Sequence, residues 1–381
     1  RAGREIRYRA YLNANSENLT LGKVPWGNKS KRVVRPGLEL SYADVFLDGR
    51  AGVALSLLTS HQFNEQHRSR LNWDFREFAR TVPDPIPILR RYNILDGPKF
   101  TDRNALGARF DVRLSEQTTL SAGGQFNTYA GRYRNQNVEW DTKSDERADA
   151  SGGTFTVSGD FVQSPIGGGI IHFWGQWRDK SGETFHGDLS LRHFGTQLEF
   201  KTGAFFSRST NRYENLRHGF FDYLKMNRPL PGQITLSDFS VGKEDVRDTV
   251  QVTVTDEAGS PLPHLGVPDL TGFRLREVGY GNENDNTDTF LGAHGDLTSH
   301  LLMAGLPVSV SSGFRFQRQR RDCTDVGRRL EYVGSTDDYD PNDFWLQEYF
   351  GEETGWSTIP PVAFPDFAKV ADFFGQNPEL F

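Results

Sequence analysis

The chain has 381 residues, with 44 Lys and Arg against 50 Asp and Glu and a formal net charge of −6, which gives a nucleic-acid partner no electrostatic support. A single cysteine, Cys323, excludes an internal disulfide framework and a cysteine-rich metal site. No apolar run reaches the roughly 18 residues that a membrane-crossing helix needs, yet a crossing strand needs only every second residue apolar, so the polar average leaves a β-barrel open.

The chain starts at Arg1 without Met or leader, so a processed or partial chain is expected. The first alternating run is Glu5–Leu12, followed by a polar loop to Arg32. Val33–Phe46 sets Leu38, Leu40 and Tyr42 against Glu39 and Ser41. The turn Leu47–Arg50 leads into Ala51–Phe63, with Val53, Leu55 and Leu57 on one face. In the irregular stretch 64–104, "VPDPIP" forbids a paired central strand.

A hairpin follows, "LGARFDVRLSEQTTLSAGGQFNTYAG". Leu106, Ala108, Phe110, Val112 and Leu114 share a face, as do Leu120, Ala122, Gly124 and Phe126 after the turn Ser115–Thr118. The other face carries Arg109, Asp111, Arg113, Ser121, Gln125 and Asn127. Beyond a polar loop, 132–151, come Gly153–Val162, Ile170–Trp177, Thr184–Leu191 and Gln197–Ser209, divided by "QSPIGGG", "RDKSGE" and "RHFGT". The stretch 210–287 holds no sustained pattern apart from Asp248–Thr255. Asp288–Ser299 and Val308–Arg321 close the series across "HLLMAGLP", and 322–381 reads as a loop-like tail.

These readings give eleven transverse runs, whose connections alternate long and short; Arg178–Glu183 is the one exception. In an up-and-down meander, alternate connections fall on opposite ends, so all short turns share one end. Outer-membrane barrels sort their connections in this way, and a soluble sandwich has no reason to. The expected fold is an all-β, up-and-down antiparallel transmembrane barrel segment of about eleven strands. Arg109, Asp111, Arg113 and Gln125, with Glu199 and Lys201, would face the lumen; Phe110, Val112 and Leu120 would face lipid. Tyr42, Phe46, Phe126, Tyr129, Trp174 and Trp177 could form interfacial girdles.

On "RPGLELSYADVFLDGRAGVALSLL", the hairpin above and "HGDLTSHLLMAGLPVSVSSGFRFQRQRRD", the chain resembles the TonB-dependent receptors of the Gram-negative outer membrane. "FPDFAKVADFFGQNPELF" looks like the loop after the last of these. The resemblance implies a 22-stranded barrel around a plug, of which 1–381 would be one partial barrel domain with 322–381 a long extracellular loop. No plug or TonB box is found in this chain, nor a terminal barrel strand. The implied function is energy-coupled uptake of an iron chelate, cobalamin or a glycan. The implied partners are outer-membrane lipid and, through a plug missing here, the TonB–ExbB–ExbD complex. A passive porin-like channel and a soluble all-β glycan-binding or adhesin protein are the alternatives.

No catalytic motif stands out: there is no His-Glu-x-x-His, Gly-x-Ser-x-Gly or phosphate-loop lysine pattern. "GGG" at 167–169 follows Pro165 and reads as a turn. Aromatics beside amides suit sugar or chelate recognition, because the ring stacks while the polar groups hydrogen-bond. That makes Tyr280, Asn282 and Asn284, with Trp345, Tyr349 and Trp356, the candidate ligand-binding residues; packing onto the barrel is the plainer reading of each. Asp337, Asp338 and Asp340 offer clustered carboxylates on a loop, a weak Ca²⁺ candidate without the spacing of an EF-hand. No other cofactor is expected, and no nucleic-acid partner.

Overall fold

The computed structural model describes residues 3–16, 19, 21–26, 29–66, 68–74, 88–142, 155–239, 250–280, 284–325, 327–349, 360 and 362–381. It is 68% strand and 8% helical, so the chain is all-β. Among the described residues, nine long strands form one antiparallel meander in chain order: β1 (Glu5–Asn13), β2 (Arg35–Phe46), β3 (Ala51–Glu65), β4 (Pro98–Arg113), β5 (Thr118–Asp141), β6 (Ile170–Phe194), β7 (Leu198–Tyr213), β8 (Asp285–Met303) and β9 (Leu306–Thr324). The sheet is open: among the described residues, β1 and β9 each pair along one side only.

The count of nine rather than eleven has two causes. Ile170–Trp177 and Thr184–Leu191 are a single strand, because "RDKSGE" continues the ladder without a turn. Two of its charged side chains are held in place. Asp179 is held by Arg134 and His218, and Lys180 lies over tyrosine rings. The run Gly153–Val162 is not transverse. Its described part forms the short strands Thr156–Ser158 and Phe161–Gln163, in a separate four-stranded sheet with Gln233–Ser237 and Gln251–Thr255.

With these corrections the alternation of connections between the described strands has no exception. The short turns are 47–50, 114–117, 195–197 and 304–305; the long connections are 14–34, 66–97, 142–169 and 214–284. The tightest turn, Ala304–Gly305, has positive φ at both residues (53° and 80°). That is the twist a two-residue hairpin needs, and Gly305 adopts it without steric cost.

At the long-connection end, β5 and β6 outrun their neighbours and enter a second set of strands. The order there is Arg68–Asp74, Ile88–Asp96, β5, β6, Tyr223–Pro229, Arg274–Tyr280 and Arg328–Glu331. The main hydrophobic core lies in this cap, around Trp140, Phe173, Trp177, Phe221, Met226, Phe273 and Phe364. The tail, expected as loop, contributes to that core. Trp345–Tyr349 pairs with Val362–Pro365, and α1 (Phe367–Gln376) buries Phe367 and Val370. Asp366 caps α1, its carboxylate accepting from the N–H of Ala368 at 2.8 Å.

Among the described residues, the meander itself has only a small buried cluster, Val33, Phe63 and Phe100, toward the long-connection end. Along its ladders Leu40, Leu57, Leu106, Phe126 and Phe185 stand side by side, as do Tyr42, Leu55, Ala108, Gly124 and Gly187 one step nearer the short turns. The band continues through Phe206, Leu291, Leu297, Phe314 and Phe316, and these large side chains are mostly exposed. It stops at one row, Thr59, Asn104, Thr128, Glu183, Thr210 and Thr287. From Leu291 to Leu301 the band runs about 34 Å along β8, or about 26 Å of height at a tilt of about 40°. About twenty large apolar side chains together expose on the order of 1,500 Å², several times the patch of a typical soluble monomer.

Two tryptophans expected in an aromatic girdle are elsewhere. Trp177 is buried in the cap, stacked on Phe367, and Trp174 lies on the same cap segment of β6. Tyr129 points to the polar face, where its hydroxyl meets that of Tyr133 at 2.9 Å.

Candidate functional site

The face opposite the apolar band is mainly polar, and three tiers of chemistry follow one another up it. Nearest the short turns, a cavity of about 520 Å³ is lined from six strands, by Glu5, Arg7, Ser41, Arg109, Gln125 and Asp188 among others. Arg109, Asp111, Arg113 and Gln125 therefore share one face; Asp111 and Arg113 line a further recess beside the turn at Gly49. Charges here are matched in place. Arg109 Nε lies 3.2 Å from Asp111 Oδ1, Ser121 donates to the same oxygen at 2.5 Å, and His186 Nε2 is 3.7 Å from Asp188. Gly107 and Gly123 keep this floor open: a Cβ there would sit 2.6 Å from Ser56 Oγ and from Asp188 Oδ1.

The middle tier is a second cavity of about 550 Å³, lined by Arg103, Asn127, Tyr129, Lys180, Thr184 and Asn211. The third tier lies inside the cap. Asn93, Glu139, His172 and Asn227 form one ladder row across four strands, and all four are buried. His172 Nδ1 is 2.8 Å from Asn227 Oδ1, which accepts its proton and leaves Nε2 turned toward the carboxylates, 3.6 Å from Asp141.

Among the described residues, Glu139, Asp141 and His172 are the one group whose ligand atoms converge as a metal site requires, all within 4.8 Å. The cation's place is taken, however. Arg91 Nε is 2.6 Å from Asp141 and 3.6 Å from Glu139, and Arg90 Nε is 3.4 Å from Asp141. Burial pushes the Glu139 carboxyl above its ordinary range, against the pull of His172 and Arg91. The group is thus a self-neutralised ion network whose one-sided loss would expose a three-ligand set. A parallel network holds the cap to β6. Arg134, buried between Trp177 and Phe220, donates to Asp179 at 2.9 Å, and the other oxygen of Asp179 meets His218 Nδ1 at 2.7 Å.

The aromatic and amide residues singled out in the sequence do not gather at one place. Asn282 and Trp356 lie outside the described residues. Tyr280 ends its strand opposite Arg328, and Tyr349 ends its strand opposite Val362. Trp345 packs against the cap core. Asn284 is the one beside the polar face: its carbonyl accepts from the N–H of Tyr213 at 3.1 Å, at the upper edge of the middle tier.

The acidic loop is occupied with its own turns. Asp338 accepts from the N–H of Ser335 (2.6 Å) and from the Tyr332 hydroxyl (3.2 Å). Asp340 caps the short helix Pro341–Phe344 through the N–H of Asn342 (2.9 Å), and Asp337 is exposed. The middle tier was missed in sequence because Arg178–Glu183 read as a loop. The signal was present: Tyr129, Gly131 and Tyr133 keep strict alternation with Arg132 and Arg134 beyond the expected strand end.

Neither a protein-family model, nor a curated protein, nor a solved structure matches the chain.

Proposed function

We propose that this chain is part of an outer-membrane β-barrel of the TonB-dependent receptor type, a transporter for a scarce bulky ligand with no chemistry of its own. One coincidence carries the reading. One face is predominantly apolar and exposed on nine successive strands, as a band about 26 Å tall along β8, and the same strands send the short turns to one end. Lipid is the solvent that makes such a face favourable, and the polar face with its cavities then lines a wet interior. Closing a barrel takes strands beyond these nine. The cap at the long-connection end favours a receptor over a passive pore, since its continuation of the polar face is buried at Asn93, Glu139 and His172.

Lipid partition tests the reading. The chain should require detergent or lipid to stay folded and dispersed, and spin labels at Phe110 and Leu120 should be reached by lipid-soluble quenchers. Labels at Asp111 and Gln125 should respond to aqueous ones. A folded monomer in plain buffer would sink the proposal and favour a soluble all-β binding protein.

A further inference from the structure

The two cavities of the polar face are similar in size and opposite in electrostatic character. In the lower one, arginines are paired with carboxylates, Arg109 with Asp111 and Arg7 with Glu5. The upper one has no carboxylate in its lining. Two cations line it, Arg103 of β4 and Lys180 of β6, and Lys99 of β4 and Arg178 of β6 follow on the same face beside it, on either side of Tyr129 and Tyr133 of β5. The register puts Lys99 and Arg178 directly opposite Tyr133, and Arg103 directly opposite Tyr129.

None of the four forms an ion pair among the described residues. Each lies against a ring instead. Lys99 is 4.8 Å from the Tyr133 centroid and Arg103 is 5.9 Å from that of Tyr129. Lys180 is 4.7 Å from Tyr213 and 5.7 Å from Tyr133, and Arg178 is 5.9 Å from Tyr213. The Nε of Arg178 is buried without a hydrogen-bond partner. The carboxylates next in sequence are spent on the other face: Asp102 on Arg35, His61 and Arg132, and Asp179 on Arg134 and His218. Gly131 leaves the centre clear, and a Cβ there would meet the Tyr129 hydroxyl at 2.3 Å.

Four like charges on the two strands that flank β5 repel one another, and tyrosine faces offset only part of that. A ligand bringing several anionic oxygens would complete the arrangement, and about 550 Å³ suits a small organic molecule. We infer that this basin binds a small, multiply anionic, oxygen-rich ligand, its carboxylate or phenolate oxygens held by Arg103 and Lys180 with Lys99 and Arg178 behind them. The inference rests on the reading of this face as a wet interior, and it narrows the ligand to an anionic metal chelate or an acidic saccharide.

Calorimetry on the full chain in detergent tests it with three probes: ferric citrate, trigalacturonate and neutral maltotriose. At least one polyanion should bind, more weakly as salt rises, and maltotriose should not. Lys180→Gln and Arg103→Gln should each weaken binding about tenfold or more, while Arg109→Gln in the lower cavity leaves it unchanged. Folding of each variant is checked by circular dichroism. Binding of ferric citrate alone assigns a chelate, and binding of trigalacturonate alone an acidic sugar. Binding of neither polyanion overturns the inference, as does equal binding of maltotriose or equal weakening by Arg109→Gln. If the chain enters lipid but binds no polyanion, only this inference falls. If it binds a polyanion as a folded monomer without detergent, only the membrane reading falls.

Discussion

Trp177 and Phe367 stack with centroids 4.7 Å apart and planes 4° from parallel. One ring belongs to β6 and the other to the first turn of α1, so the contact fastens the tail to the sheet. Gly175 makes room for it: a Cβ there would lie 2.8 Å from Phe367 Cζ. Phe367→Ala should cost the cap about 3–5 kcal/mol, the usual loss for a buried aromatic. Denaturant unfolding followed by tryptophan fluorescence checks this. The cap transition should move while far-ultraviolet circular dichroism of the meander stays put.

Glu139 gives the cap a pH dependence with a definite sign. Its folded pKa is raised by burial, so the folded state holds the proton more tightly than the unfolded chain does. Its contribution is most favourable below the ordinary glutamate range and declines as pH rises through the raised folded value. Thermal melts of wild type and Glu139→Gln at about pH 5 and about pH 8 isolate the effect. The wild type should lose more stability between the two than the variant, and an equal loss would remove Glu139 as the cause.

Arg91 neutralises Asp141 and Glu139 together, and the side chain of Asp141 is only 1% exposed. Arg91→Ala should therefore destabilise the cap by about 3 kcal/mol, because the buried carboxylates lose their nearest counter-charge and only Arg90 remains beside Asp141. The variant should also be stabilised by added Zn²⁺ in a thermal-shift assay, through Glu139, Asp141 and His172, where the wild type is not. Equal zinc response in both would show that the arginine does not occupy the cation's place.

On the membrane reading, adjacent residues of one strand respond in opposite ways. Leu189 belongs to the apolar band and Ser190 to the polar face. Leu189→Arg should cost about 2–4 kcal/mol in lipid, and Ser190→Arg close to nothing. Unfolding by denaturant from lipid vesicles measures both; equal costs would argue against a lipid-facing band.

Much of the meander was legible because its pattern is local. Alternation placed β1, β2, β3, β7, β8 and β9 within a few residues, and turn residues marked Leu47–Arg50 and Ser115–Thr118. The cap was not legible. Its strands are short, and its core joins residues far apart, as Trp140 Nε1 donating to the Leu265 carbonyl at 3.1 Å shows. The tail read as loop because its aromatics follow no strand period; they are arranged on α1 and on Val362–Pro365 to meet Phe173 and Trp177. The cations around Tyr129 and Tyr133 went unnoticed, since none is special until the register of β4, β5 and β6 aligns them.

By itself, the sequence determined that long alternating strands pair in order, which face of each is apolar, and where the short turns fall. A two-residue period and a few turn residues settle those features within one hairpin. Only the tertiary structure decided that "RDKSGE" continues a strand, that Arg91 reaches both Asp141 and Glu139, and that Lys99, Arg103, Arg178 and Lys180 lie on one face around Tyr129 and Tyr133. Those outcomes depend on register between strands and on which carboxylates are consumed on the opposite face. Both are long-range quantities that no local pattern encodes.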